Sequence, residues 1–321
     1  MPSLFHQLQQ TSTIVADTGD LHAIKKFKPQ DATTNPSLVL AAIQSGQYDD
    51  LIKSTLHNQD KALKKNDFIE EICDQIIVTM GSMILQNIPG RVSTEVDARL
   101  SFDTQASVLK ARKLIDLYAK AGIDKHRVLI KLAATWEGIR AANILEQEGI
   151  QCNLTLIFSV VQARACAEAG VYLISPFVGR ILDWHKQQNP AVSFTPDQEP
   201  GVRSVHDIYH YFKQHQYETI IMGASFRNIG EIMALSGCDR LTISPSLLEE
   251  LTTTDDVLKT SLTHSGKTTS RPAPIDEAEF RWQFNSDAMA TEKLAEGIRG
   301  FEADQLKLES LLIDKLKENE R

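Results

Sequence analysis

Three charged side chains stand inside or at the end of short apolar runs. Lys131 interrupts Val128-Leu129-Ile130-Lys131-Leu132-Ala133-Ala134, Glu95 lies in Val92-Ser93-Thr94-Glu95-Val96-Asp97, and Asp17 closes Ile14-Val15-Ala16-Asp17. Continuous apolar runs of this kind suit the strands of a parallel sheet covered on both faces. An ammonium group placed there loses hydration that nothing nearby in sequence replaces. Desolvation favours the neutral amine, and a neutral amine attacks carbonyl carbons. A glutamate and a lysine both set in strands read as a buried acid–base pair whose environments tune each other. The plain alternatives are a lysine that snorkels from a strand end, a surface glutamate, and an aspartate that caps a helix or closes a turn.

Polar residues at the ends of other runs extend the set. Asn35, in Asp31-Ala32-Thr33-Thr34-Asn35-Pro36-Ser37, also suits a helix cap because a proline follows it. Asn153 and Thr155 alternate with apolar residues in Cys152-Asn153-Leu154-Thr155-Leu156-Ile157-Phe158 and share one strand face. They line a lumen or fill a core with hydrogen bonds. Ser175, Phe177 and Arg180 fall in Ile174-Ser175-Pro176-Phe177-Val178-Gly179-Arg180, and Ser225 and Arg227 fall in Gly223-Ala224-Ser225-Phe226-Arg227. Two arginines with serine hydroxyls at adjacent strand ends suit a phosphate, which accepts planar, charge-assisted donors. Arginines bridged to surface acids are the competing reading.

Three other motifs lead nowhere. Gly266-Lys267-Thr268 resembles the end of a phosphate-binding loop, but Ser261 stands where that loop needs glycine and no apolar strand precedes it. His206 and His210 have ligand spacing, yet Asp207 follows in place of the glutamate of a zinc motif, on a helix that is amphipathic around Val205, Ile208 and Tyr209. Neither a Gly-x-Ser-x-Gly elbow nor a Cys–His signature occurs. No metal site is expected.

The elements that must hold these residues follow from patterning. Eight strand-like runs, 13–17, 31–35, 92–96, 128–133, 152–158, 172–175, 219–223 and 240–243, alternate with longer amphipathic stretches such as 103–121, 136–148, 159–169 and 205–215. Strand-then-helix repeated eight times predicts a (β/α)8 barrel, whose catalytic groups sit at the C-terminal strand ends. An open doubly wound sheet is the rival, but no Gly-x-Gly-x-x-Gly follows the first strand. The stretch 263–283, rich in Ser, Thr, Pro and charge, reads as a loop. Leu294, Ile298, Phe301, Leu308, Leu312 and Leu316 then mark an amphipathic helix over 287–318, packed on the barrel or on a second subunit. One domain over 1–321 is the economical reading.

Composition bounds the partners. A net charge of −8 argues against a general nucleic-acid binder, without excluding a phosphorylated small molecule held by a local arginine pair. Cys73, Cys152, Cys166 and Cys238 are scattered with no Cys-x-x-Cys pair, which fits reduced thiols better than disulfides or zinc. Met1-Pro2-Ser3-Leu4-Phe5-His6-Gln7 lacks the charge and apolar core of a secretory signal, and no run approaches the roughly 18 apolar residues of a membrane span. A cytoplasmic protein without membrane contact is expected.

Taken together, these segments resemble the transaldolase family in its longer bacterial-type form. Asp31-Ala32-Thr33-Thr34-Asn35-Pro36-Ser37-Leu38 is similar to the family's first signature, and Val128 through Ile139 to the signature around its Schiff-base lysine. Further matches are Ser93-Thr94-Glu95-Val96-Asp97-Ala98-Arg99-Leu100, Cys152-Asn153-Leu154-Thr155-Leu156 and the runs that end in Arg180 and Arg227. They stand in family order, with no departure at a catalytic position.

The resemblance implies a (β/α)8 barrel that moves a dihydroxyacetone unit between sugar phosphates without a cofactor, as a cytoplasmic homodimer. By it, Lys131 forms the Schiff base, while Glu95, through a water held with Thr155, shuttles protons in imine chemistry. Asp17 takes the C4 hydroxyl proton as the C3–C4 bond breaks. Asn35, Asn153 and Ser175 hold the three-carbon intermediate, and Arg180, Arg227 and Ser225 bind phosphate. The nearest alternative it leaves is a fructose 6-phosphate aldolase-type lyase that releases free dihydroxyacetone. Those relatives carry tyrosine where this chain has Phe177, and a phenyl ring has no hydroxyl to activate water. A non-catalytic sugar-phosphate-binding barrel and a pyridoxal-phosphate barrel are the readings of other classes.

Overall fold

The computed structural model describes residues 2–57, 65–264 and 266–319. Eight parallel strands, β1 (Thr13–Asp17), β2 (Asp31–Thr33), β3 (Val92–Glu95), β4 (Val128–Ala133), β5 (Cys152–Ile157), β6 (Leu173–Pro176), β7 (Ile220–Gly223) and β8 (Arg240–Ile243), close in chain order into a barrel. All eight runs read from the sequence are strands. The clearest difference is β2, which stops at Thr33 because Asn35 leaves the sheet to cap helix Pro36–Gln44. Its side chain accepts from the Leu38 amide at 2.9 Å, and Pro36 takes the first helical position.

Register decides which side chains meet in the lumen. Alternation along β4 sends Val128, Ile130 and Leu132 outward into the core shared with the helices, leaving Leu129 and Lys131 on the inner face. Val15, Leu129, Leu173 and Met222 form a small apolar layer inside the barrel. Two residues further along three of those strands stand Asp17, Lys131 and Ser175. The polar set therefore rests on a dry floor.

Four helical segments expected from the pattern are present as Thr104–Lys120, Trp136–Gln147, Val160–Glu168 and Pro200–Gln214. The first three are capped by Asp103, Thr135 and Ser159, and the last starts earlier than expected, at a proline suited to a first helical position. Between β2 and β3 the helices Pro36–Gln44, Asp49–His57 and Lys65–Leu85 add a layer that simple strand–helix alternation does not anticipate. Their apolar faces, with Val39, Ile43, Ile52, Ile72 and Ile76, build a second core against Leu308 and Leu312.

The expected loop 263–283, whose Ser265 lies outside the described residues, is a loop only in its first part. Glu277–Asn285 is a helix, with Asp276 accepting from the Glu279 amide at 2.8 Å. The charged residues that suggested a loop are its solvent face, while Phe280 is buried beside Trp136, with ring centroids 5.3 Å apart. Helix Ala288–Asn319 then crosses the barrel mouth. Its Leu294, Ile298 and Phe301 pack with Phe158 and Phe177 of the barrel, and Leu308 and Leu312 belong to the second core. Ser37 donates to Asp304 where this helix meets Pro36–Gln44. Among the described residues no helix is long and apolar enough to cross a membrane.

Candidate active site

Strands β3, β4 and β5 align Glu95 with Lys131 and Lys131 with Asn153. Lys131 is 4% exposed, and its Nζ donates to Glu95 Oε2 at 3.0 Å and to the Thr34 carbonyl at 3.4 Å. Burial pushes the Glu95 carboxyl pKa above the ordinary range, with the neighbouring Lys131 opposing it. Asn153 is wholly buried, donates to Ser93 Oγ at 3.1 Å and accepts from Ser175 Oγ at 2.7 Å. Thr155 shares its face of β5, and its buried hydroxyl makes no hydrogen bond among the described residues. Such a hydroxyl is a ready partner for a small polar molecule, because leaving it alone costs about 1–3 kcal/mol.

Asp17 stands at the end of β1, where its Oδ1 accepts from Thr33 Oγ1 at 2.9 Å. Thr33 Oγ1 lies 2.8 Å from the Thr242 hydroxyl, so β1, β2 and β8 are tied at this level. Burial raises the Asp17 pKa as well, while Lys131, Thr33 and Arg180 pull it back. Two carboxyls that hold protons more tightly than usual thus share the lumen with one amine. Asn35 and Glu95 also line a cavity of about 20 Å³, room for roughly one water.

The loops after β6 and β7 carry a different kind of site. Arg180 is half-buried, with its guanidinium carbon 5.0 Å from the Phe177 ring and 5.6 Å from the Phe301 ring. Among the described residues it makes no hydrogen bond or ion pair. Burial and the nearby Arg227 push its pKa down, yet a guanidinium stays charged. Arg227 is exposed and bridges Asp183 at 2.6 and 3.1 Å. The two loops are zipped together, since the Gly179 amide donates to the Ser225 carbonyl at 2.8 Å and the Val178 amide to Ala224 at 2.9 Å. A Cβ on Gly179 would fall 2.5 Å from Arg227 Cγ, so only glycine permits the approach. Ser225 holds a left-handed φ of 61°, uncommon for a residue with a side chain. Behind it, Glu231 Oε2 accepts from the Arg227 amide at 2.7 Å.

The family model described as Transaldolase/Fructose-6-phosphate aldolase matches residues 14–312. The chain belongs to the transaldolase/fructose-6-phosphate aldolase family. It is 58% identical over 317 residues to the "Transaldolase" of Pseudoalteromonas atlantica, covering 97% of this chain and 99% of that one. The "Transaldolase" of Methylobacillus flagellatus is 60% identical, covering 98% of this chain and all of its own length, and that of Vibrio cholerae is 56% identical with the same coverage.

Lys131, Glu95, Asp17, Asn153, Thr155 and Ser175 are at the lumen end of their strands, and Arg180, Phe177, Ser225 and Arg227 form the neighbouring rim. Asn35 is at the same mouth, but its carbonyl oxygen is committed to the helix cap, leaving the amide NH2 free of that duty. Arg227 shows the bridge to an acid, with Asp183, while its position beside Arg180 leaves the phosphate reading open. Sequence reasoning passed over Ser93, Thr33 and Thr242, which hold Asn153 and Asp17. Their signal was available: each is a small hydroxyl at an inward position of a strand that carries or flanks a charged residue. Phe301 and Glu231 gave no such signal, because one belongs to a distant helix and the other looks like an ordinary helix glutamate.

Proposed function

We propose that this chain catalyses the transaldolase reaction of the non-oxidative pentose phosphate pathway. It takes a dihydroxyacetone unit from sedoheptulose 7-phosphate and passes it to glyceraldehyde 3-phosphate, giving erythrose 4-phosphate and fructose 6-phosphate, reversibly. The observation that carries this reading is the Lys131–Glu95 contact of 3.0 Å in a buried lumen, with Asp17 beside it and a half-buried Arg180 that has no ion-pair partner among the described residues.

Lys131 attacks the donor ketone. Glu95, whose carboxyl is held back from ionising by burial, gives the carbinolamine oxygen the proton it needs to leave as water, and the Thr155 hydroxyl steadies that water. The protonated imine is an electron sink, so C3–C4 cleavage needs no metal or other cofactor. Asp17 accepts the C4 hydroxyl proton as the bond breaks and returns it to the acceptor aldehyde oxygen. Asn153, Ser175 and Asn35 hold the three-carbon unit. Arg180, Arg227 and Ser225 receive phosphate far from the reacting carbon, so its binding orients the chemistry. The whole chain works as one barrel domain with its C-terminal helix, in the cytoplasm, as a homodimer. Four buried free thiols support a reducing compartment.

Borohydride reduction with and without fructose 6-phosphate, followed by mass mapping, tests the mechanism. Label on Lys131 that depends on substrate is expected; label elsewhere, or none, sinks it. Measuring free dihydroxyacetone in the same mixture separates transfer from the aldolase-type alternative, against which the Phe177 ring counts.

A further inference from the structure

Helix Ala288–Asn319 brings one residue to the reacting centre, although it lies far from the other site residues in sequence. Phe301 is 3% exposed, and its ring centroid lies 5.8 Å from Lys131 Nζ and 5.6 Å from the Arg180 guanidinium carbon. Those two groups mark the ends of a bound sugar phosphate on the reading above, so the ring flanks the path of the carbons between them. It sits in an apolar cluster with Ala133, Leu156, Phe158, Phe177 and Ile298 that is distinct from the main core.

The backbone is shaped to hold it there. β5 shifts register between Leu154 and Ile157, and Leu156 takes a left-handed φ of 57°. For a branched residue that conformation is strained and persists only where the surroundings impose it. On the facing helix, a Cβ on Gly297 would lie 2.7 Å from Leu156 Cδ2 and 3.3 Å from Arg180 Nη1. The absence of a side chain at Gly297 lets the helix settle one turn away from Phe301, close against the bulge.

We infer that Phe301 is a second specificity-determining residue, beside Phe177, that keeps the Lys131-bound three-carbon intermediate for an aldehyde acceptor rather than for water. The inference rests on the transaldolase reading. After cleavage, the intermediate is an enamine and Asp17 carries one proton. In transfer, the enamine carbon bonds to the aldehyde carbon, and the Asp17 proton goes to the aldehyde oxygen. In release, that proton passes through a water to the enamine carbon. A second water then adds its oxygen to the imine carbon and gives one proton, through Glu95, to the nitrogen. The C–N bond breaks with its electron pair returning to Lys131 as the new hydroxyl loses its proton and becomes the carbonyl. The release branch needs water at the enamine carbon, and an apolar ring along that face withholds it.

The test is the ratio of free dihydroxyacetone to transferred dihydroxyacetone, measured with fructose 6-phosphate and erythrose 4-phosphate. Borohydride trapping of Lys131 is run alongside. Phe301→Ala should raise the ratio about tenfold while trapping persists, and Phe301→Leu, which keeps apolar bulk, about twofold. Gly300→Ala is the control on the same helix, because a Cβ there meets nothing within 4 Å, and its ratio should equal that of the wild type. If Phe301→Ala does not fold, Phe301→Leu decides by the same ratio. Normal trapping with an unchanged ratio in the folded variant overturns the inference alone. Failure to trap Lys131 in the wild type overturns the transaldolase reading, and the inference falls with it.

Discussion

At the proposed imine end of the site, Lys131, Asn153, Ser175 and Asp17 each hydrogen-bond a neighbour on an adjacent strand. At the proposed phosphate end, the Arg180 side chain makes no hydrogen bond or ion pair among the described residues, and the Arg227 guanidinium bridges the Asp183 carboxylate at the surface. The first set is built on strands whose register leaves the side chains little freedom. The second stands on loops and a helix start. Groups that must hit a reacting atom within a fraction of an ångström belong on rigid elements. Groups that capture a charged, mobile phosphate tolerate looser placement, because charge-assisted hydrogen bonds reach it from several geometries. The difference predicts that substitutions at the imine end abolish chemistry, whereas those at the rim shift affinity.

Lys131→Met is the largest expected effect. Transfer should fall by at least about 10⁴-fold, since no imine can form, and borohydride labelling should vanish. Met fills a similar volume, and burial already shifts the Glu95 carboxyl toward its uncharged form, so circular dichroism should stay native. Residual labelling at another lysine would show that the imine end is not where the comparison places it. Asp17→Asn comes next. Trapping on Lys131 should persist while cleavage slows by about 10²–10⁴-fold, the span usual for a lost general acid–base group. A variant that lost trapping as well would move Asp17 into the imine steps.

At the rim the signs should separate. Arg180→Gln should lower kcat/KM for phosphorylated substrates about 30-fold, mostly through KM, because a desolvated guanidinium gives its donors at full strength. Asp183→Asn should act in the other direction, lowering KM by about twofold, since it frees Arg227 from an exposed bridge of small worth. Should Asp183→Asn raise KM instead, the bridge would be part of the phosphate site rather than a competitor for it.

How far the sequence alone reaches follows the same division. Strand identity and the inward set were legible because buried parallel strands are written as apolar runs, and a charge inside one stands out. The residues that support the charges were harder to read. Ser93 and Thr33 show themselves only as small hydroxyls at inward strand positions, and it takes the register to show that they bond Asn153 and Asp17. Helix Glu277–Asn285 was hidden by its charged face and the preceding Arg271-Pro272-Ala273-Pro274. The pairing of Arg227 with Asp183 is a choice between two partners that spacing cannot make. Phe301 is apolar on an amphipathic helix, and nothing local distinguishes the barrel mouth from the second core as its destination.

The smallest effect concerns what holds the rim in place. Glu231 is wholly buried, bonds the Arg227 amide, and faces the buried Glu199, each keeping one oxygen without a donor. Burial first, and then Glu199 beside it, raise the Glu231 pKa to about 8, as expected when two carboxyls share one proton. The consequence for stability has a definite sign. Below the unfolded value, near 4.3, both states carry the proton and stability is full. Between there and about 8 only the folded state keeps the proton, so stability falls as pH rises, and the loss is complete above that range. Glu231→Gln retains an acceptor for Arg227, gives Glu199 a permanent donor and cannot titrate. Its melting temperature should lie close to the wild type near pH 5 and exceed it by about 6 °C at pH 8. Over the same range KM for phosphorylated substrates should drift upward in the wild type more than in the variant. Parallel melting curves for the two proteins from pH 5 to 8 would show that the pair does not share a proton, and that the rim rests on neutral contacts alone.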